Sequence, residues 1–287
     1  MSRQNRATLL FFWDYDTQWG ADRSRSPGGK KSWGYLEFES TERLLEVHAH
    51  YEIPACFAVV GKAALPGERP YHDPAQIRRI HAAGHEIASH SFGHEWLPGL
   101  DRRALLETLR CSKEALEHCI GTSVVSFVPP FNQPFDYPQG GSFSLAERRE
   151  AGRQRTDLHR LCDGLKETGY RFCRVCYRPV HLRVAERLLG RQLNQPGRLE
   201  RIAGITCARL NTPGGFSEKT RQQIAHHLEH GGLWVLYGHP HSLCDEDSPQ
   251  GLTSLEQTLR LVSEWKRRGK IRCALPRELI CGENVDG

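Results

Sequence analysis

Residues 84–94 read Gly84-His85-Glu86-Ile87-Ala88-Ser89-His90-Ser91-Phe92-Gly93-His94. Gly84 closes a helical pattern that opens at Asp73-Pro74. Ile77 and Ile80 share one stripe of that pattern, Asp73 suits its N-cap and Pro74 its first turn. Residues 85–89 then read as a short strand, and two imidazoles four residues apart follow its end. The same helix-then-strand rhythm runs outward in both directions. Further strands are expected at 8–13, 55–60, 124–128, 170–177, 202–208, 233–237 and 271–275. Helical patterns are expected at 40–51, 101–120, from 217 to about 230, and at 254–269. Alternation of this kind implies an α/β fold with a mostly parallel sheet covered by helices. Seven or eight such units in 287 residues suit a (β/α) barrel, in one domain spanning 1–287, better than an open sheet. A barrel carries its chemistry on the loops after the strands, so reactive residues should follow strand ends. Two stretches exceed a simple unit, at 17–34 and 133–156, and are expected to be loop insertions facing substrate.

Composition narrows the function classes. Hydrophobic residues make up 38% and charged residues 25%, enough for a core and against a disordered chain. No apolar run approaches the roughly 18 residues that cross a bilayer, so stable membrane insertion is not expected. The net charge of +5 is too small and dispersed to argue for nucleic acid. The segment before Asp14 lacks a signal-peptide pattern, which favours a cytoplasmic location. In that setting the ten cysteines read as reduced thiols. The one CxxC, Cys173 with Cys176, lies in a strand-like run that turns the two side chains to opposite faces, a poor clamp for one metal. A small-molecule or oligosaccharide substrate is the partner class left, and self-association stays open.

Four strand ends carry residues with chemistry. The first ends in Trp13-Asp14-Tyr15-Asp16, two carboxylates that resist joint ionisation unless a cation sits beside one. The third ends in the His90/His94 pair, which can converge on one cation if the segment coils. His81/His85 and His226/His230 share that spacing but do not follow a strand end. The fourth ends in Val128-Pro129-Pro130-Phe131-Asn132, a stiff turn able to hold the Phe131 N–H toward a cavity. Residues 233–237 are followed by Gly238-His239-Pro240-His241, which places His239 as acid, base or ligand. One aspartate and two histidines can hold a metal with open positions, and a second aspartate beside them can take a proton. The set suits metal-assisted hydrolysis.

In order and spacing these motifs resemble the polysaccharide deacetylase family, carbohydrate esterase family 4 with its nodulation-type chitooligosaccharide deacetylase homology domain. The segment 84–94 is the most specific of them, and the resemblance spans about residues 8–241. It implies a distorted (β/α) barrel of about seven strands, and hydrolysis of N- or O-acyl groups on sugars with one divalent metal. That metal would be zinc, with cobalt, manganese or nickel as alternatives. By position, Asp14 is implied as the catalytic base, His239 as the general acid and the Phe131 N–H as the oxyanion donor. Asp16, His90 and His94 are implied as metal ligands. Trp19, Pro130, Asn132 and Leu236 are expected to line the substrate. The DxD at Asp14 and Asp16 resembles a branch outside the peptidoglycan-acting members, one that includes allantoinase-like and imide-hydrolase-like enzymes. The third motif usually opens with Arg. Val128 stands there, so another cation, Arg174 or Arg178, is expected to take its place. Asp157 and Asp163 are candidates for the fourth motif, and His241 has no assigned role. The expected activity is removal of an acetyl or formyl group from an amino sugar. An amide, imide or ureide hydrolase on the same metal site is the alternative, and an inactive sugar-binding relative the third reading. The Arg-rich stretch 148–160 permits an anionic substrate.

Overall fold

The structure is a computed structural model that describes residues 6–24, 32–132, 157–175, 188, 196–212 and 214–280. The central strand is β1 (Ala7–Tyr15), followed by a short helix α1 (Thr17–Arg23) and by α2 (Gly34–Tyr51). Next come β2 (Cys56–Val59), α3 (Pro74–Ala82), β3 (Glu86–Ser89), α4 (Arg102–Ile120) and β4 (Ser126–Phe127). Then α5 (Leu158–Glu167) precedes β5 (Phe172–Val175), and β6 (Leu199–Ile202) and β7 (Ile205–Arg209) form a hairpin. The chain continues through α6 (Glu218–His227), β8 (Leu233–Gly238), α7 (Leu252–Arg267) and β9 (Ile271–Ala274). Three helix starts follow their sequence signals. Asp73 accepts from the Gln76 N–H, Asp101 from Ala104 and Ser217 from Thr220, each satisfying an otherwise unpaired donor of the first turn. By contrast, α2 opens at Gly34, ahead of the expected 40, and α7 at Leu252, ahead of 254, each without a side-chain cap.

The strands run in the order β6-β7-β5-β4-β3-β2-β1-β8, with β9 also on β1. All pairs are parallel except β6 with β7. β9 pairs Ala7–Leu10 while β2 pairs Phe12–Tyr15, so the two strands take successive halves of β1. The sheet curls into a nearly closed barrel. Across the remaining gap, Asn211 donates to the Leu233 carbonyl and accepts the Val235 N–H, and the Thr212 hydroxyl donates to the Val235 carbonyl. Gly197 bridges Leu233. The expected distorted barrel in a single domain is therefore what forms.

Strand periodicity splits the core in two. Leu9, Phe11, Trp13 and Tyr15 face outward and pack with the helices. Leu10, Phe12, Cys56, Ala58, Ala88, Val128, Phe172, Ala208, Val235 and Tyr237 form a second cluster that contains no helix residue, the barrel interior. The inward parity of each strand decides what its end presents at the mouth.

Three expectations are corrected. Residues 17–23 form α1 rather than loop. The single strand expected at 202–208 is the β6–β7 hairpin, turned at Ala203 and Gly204 with φ of 49° and 86°. Asp157 caps α5 by accepting the Arg160 N–H, and Asp163 is exposed on that helix, so neither belongs to a site. The expected insertion at 133–156, most of the Arg-rich stretch 148–160, Cys176 and Arg178 lie outside the described residues. Among the described residues no helix is long and apolar enough to cross a membrane.

Candidate active site

The inward parity of β1 runs Leu10, Phe12, Asp14, so Asp14 caps the interior column at the barrel mouth and is buried there. On β5 the same parity runs Phe172, Arg174. Arg174 is 1% exposed, and its guanidinium meets Asp14 in two bonds, Nη1 to Oδ1 at 2.7 Å and Nη2 to Oδ2 at 2.6 Å. Ala58 is the register partner of Asp14 and of Ala88, and Ala208 that of Arg174. These small side chains leave room for the guanidinium, which also lies over the rings of Phe12 and Tyr237. Asn132 closes the group: its Oδ1 accepts from Arg174, and its Nδ2 donates to the Tyr237 hydroxyl. Burial is the largest single influence and opposes ionisation of Asp14, but the Arg174 guanidinium, together with His90 and His239, outweighs it and holds the carboxyl below its ordinary range. Of the two arginines expected to make up for Val128, Arg174 is the one within the described residues, and it pairs with Asp14. Val128 itself is packed in the interior, and its carbonyl takes the Nδ1–H of His90 at 2.7 Å.

That bond fixes the His90 ring, because a donor at Nδ1 leaves the Nε2 lone pair facing the site. His90 Nε2 lies 3.3 Å and His94 Nε2 3.5 Å from Asp16 Oδ1. The three residues form the one group of metal-ligating side chains found among the described residues, and all three are buried. Three lone pairs facing each other at this range repel unless a proton or a cation lies between them. A tetrahedral ion with bonds of about 2.0–2.2 Å sets neighbouring donor atoms about 3.3–3.6 Å apart, so the donor set fits a divalent metal such as zinc. Burial opposes the charge on Asp16, yet His94 and His90 outweigh it and hold that carboxyl well below the ordinary range.

Unusual backbone gathers here. His94 (φ 58°), Ser91 (φ 62°), Thr17 (φ 55°), Phe131 (φ 58°) and Asn132 (φ 53°) all sit in the left-handed region, which side chains other than glycine's rarely adopt. The turns at Ser91 and His94 coil the segment so that both imidazoles reach Asp16. Phe131 packs its ring edge on His94 at 4.5 Å, which sets its backbone beside the triad.

Two supports had no local sequence signal. Glu37, on the first turn of α2 and fully buried, accepts the N–H groups of Asp16 at 2.8 Å and Thr17 at 2.9 Å, pinning the turn that carries the triad's aspartate. Burial, then the charge of Asp16, push the Glu37 carboxyl well above the ordinary range. His241 Nδ1 lies 3.5 Å from Glu37, and its ring stacks on Trp33. Gln250 Oε1 takes both the backbone N–H and the Nδ1–H of His239, at 2.8 and 3.1 Å, which turns His239 Nε2 to within 4.0 Å of Asp14 Oδ2.

Asp14, Asp16, His90, His94, Phe131 and His239 are therefore gathered at one mouth. Of the residues expected to line substrate, Asn132 lies on Arg174 and Tyr237, Pro130 is buried in the turn, and Trp19 stands on α1 beside Lys62. Leu236 has no exposed surface and packs in the helix-side core, because it takes the outward parity of β8. His85 belongs to the core, where its Nδ1 accepts from the Ala55 N–H.

Residues 33–137 match the family model described as polysaccharide deacetylase. The matched stretch contains His90, His94 and Phe131, while Asp14, Asp16, Arg174 and His239 lie outside it. Solved structures share the fold over nearly the whole chain. One is described as a polysaccharide deacetylase from Mycobacterium smegmatis, 19% identical, with TM-score 0.66 over 98% of this chain and 91% of that one. Another is described as a polysaccharide deacetylase from Pseudomonas aeruginosa PAO1, 14% identical, with TM-score 0.59 over 96% and 90%. A third is Puue allantoinase, 14% identical, with TM-score 0.58 over 97% and 90%. At these identities the likeness is one of fold.

Proposed function

Starting from the polysaccharide deacetylase domain matched over residues 33–137, we propose that this chain is a metal-dependent hydrolase that removes an acetyl or formyl group from the nitrogen of an amino sugar. The observation that carries this reading is the Asp16/His90/His94 donor set with Asp14, held by Arg174, at the same barrel mouth. A divalent ion on that set supplies Lewis acidity to the acyl carbonyl and to water. Asp14 accepts the proton of the attacking water through a carboxylate that Arg174 keeps ionised. The Phe131 N–H, fixed between Pro130 and Asn132, donates to the oxyanion that develops on the carbonyl oxygen. The proton taken up by Asp14 passes to His239 Nε2, 4.0 Å away, which hands it to the departing nitrogen. The products are the free amine and the carboxylic acid, and both side chains return to their starting state. Gln250 keeps that ring turned toward Asp14.

The bidentate Arg174 supports turnover over the inactive reading that Val128 raised. The test is release of acetate or formate by zinc-loaded protein from N-acylated amino sugars, with cyclic imides and ureides assayed beside them. Amide hydrolysis with a loss of at least about 10²-fold in Asp14→Asn, whose metal content stays unchanged, is the expected result. Turnover of ureides alone would move the substrate to the alternative class. Full activity in Asp14→Asn would overturn the mechanism.

A further inference from the structure

On the other flank of the triad stands a cation with no assigned role. Lys62 follows β2, and its backbone is tied to the histidine segment: Gly61 N–H donates to the Ser91 carbonyl and Lys62 N–H to the Phe92 carbonyl. Its side chain runs over Gly93, where an added Cβ would lie 3.4 Å from both Cε and Nζ. The ammonium sits 4.4 Å from the Trp19 ring centroid and 5.5 Å from that of Phe92. Lys62 is therefore bracketed by Trp19, three residues after Asp16, and by Phe92 and Gly93, which lie between His90 and His94.

Among the described residues this half-buried ammonium meets two ring faces and forms no ion pair. Glu95 lies across Gly93 but forms no ion pair with Lys62; its oxygens accept from the Gly93 N–H and the Thr108 hydroxyl. The Trp19 indole Nε1–H is a second donor, buried and without an acceptor. Aromatic faces stabilise a lysine charge without neutralising it, so the ammonium stays available to an anion in a weakly screened setting. A divalent ion on the donor set would add further positive charge next to it.

We propose that Lys62, with Trp19 and Phe92, forms a subsite for an anionic group, carboxylate or phosphate, carried by the substrate whose acyl carbonyl is cleaved. This inference rests on the metal-dependent hydrolase reading and names its substrate class: an acylated amine that bears an anion.

Three hydroxamates, which all chelate a metal through the same group, separate the two claims. Acetohydroxamate is neutral, succinic monohydroxamate adds a carboxylate and phosphonoacetohydroxamate adds a phosphonate. Their affinities for the zinc-loaded protein are measured by calorimetry. At least one anionic probe is expected to bind about 10-fold or more tighter than acetohydroxamate, the usual worth of a charge-assisted contact. That ratio should fall to near one in Lys62→Met and recover in Lys62→Arg, with both variants checked for an unchanged melting profile. Preference for the phosphonate alone assigns a phosphorylated substrate, and preference extending to the carboxylate assigns an acid. Equal binding of all three by the unaltered protein, or a ratio that Lys62→Met leaves intact, overturns the subsite while the hydrolase reading stands. Failure of all three to bind overturns both.

Discussion

Arg174 is the residue on which the most chemistry converges. It is buried and bidentate on a buried carboxylate, so its removal leaves Asp14 charged and unpaired. Arg174→Met is expected to cost about 3–5 kcal/mol in stability, read by denaturant unfolding. Arg174→Lys keeps the charge and should fold, but it offers a point charge where a planar fork stood. The sign of the pH effect follows from the balance at Asp14. Burial raises that carboxyl's pKa and Arg174 lowers it, so weakening the pair moves the pKa up. In Arg174→Lys the acidic limb of kcat/KM should shift to higher pH, and an unshifted limb would remove Arg174 from control of Asp14. At this scale the sequence shows what the inward parity shows. Asp14 near the end of β1, and His90 and His239 just past the ends of β3 and β8, extend columns of apolar interior residues, which is why their position could be read. Arg174 extends such a column too, as a lone charge inside the buried strand Phe172–Val175, and it could be narrowed only to one of two arginines. Glu37 and Gln250 act across 21 and 11 residues, and no local pattern announces them.

Helix ends marked by a capping residue or a closing glycine are legible to within a few residues. α4 is the clear case, opened by Asp101 and closed at Gly121 with φ of 72°. Asp101→Ala should lower stability by about 1 kcal/mol through loss of the bond to the Ala104 N–H, with the site's metal binding unchanged. An unaltered unfolding midpoint would show the cap to be idle. The β6–β7 hairpin is not legible because Ala203-Gly204 is a weak turn signal beside Asn-Gly, and Glu200 and Arg201 break the apolar pattern of the half-exposed strand β6. Nor is α1, because Thr17 takes a left-handed backbone and Asp16 supplies no side-chain cap. Its placement depends on Glu37 holding the turn from another element, a tertiary cause that local propensity does not contain.

The whole molecule is a barrel sealed by side chains between β7 and β8, and its stability is tied to pH through two core histidines. His48 donates Nδ1–H to the Ile53 carbonyl and accepts the Trp13 indole N–H, and His85 packs against it. Burial, with the neighbouring His85 adding to it, pushes His48 down to about 3, and burial pushes His85 down to about 4. Both are neutral in the fold and take a proton near pH 6.5 once unfolded. Their contribution is therefore complete above about pH 6.5 and declines as pH falls toward 4 and then 3. By pH 5 each should have given up about 2 kcal/mol, so the unfolding free energy should fall steeply between pH 6.5 and 4. A flat profile across that window would mean that both rings are protonated without cost.

The central claim is that Asp16, His90 and His94 form a metal site at the barrel mouth. The measurement that tests it most directly is elemental analysis of the zinc-incubated, desalted protein beside its His90→Ala/His94→Ala variant, with circular dichroism confirming that both are folded. The account predicts about one divalent ion per chain, lost in the double variant. A chain that takes up no metal, or a folded double variant that retains a full equivalent, would contradict it.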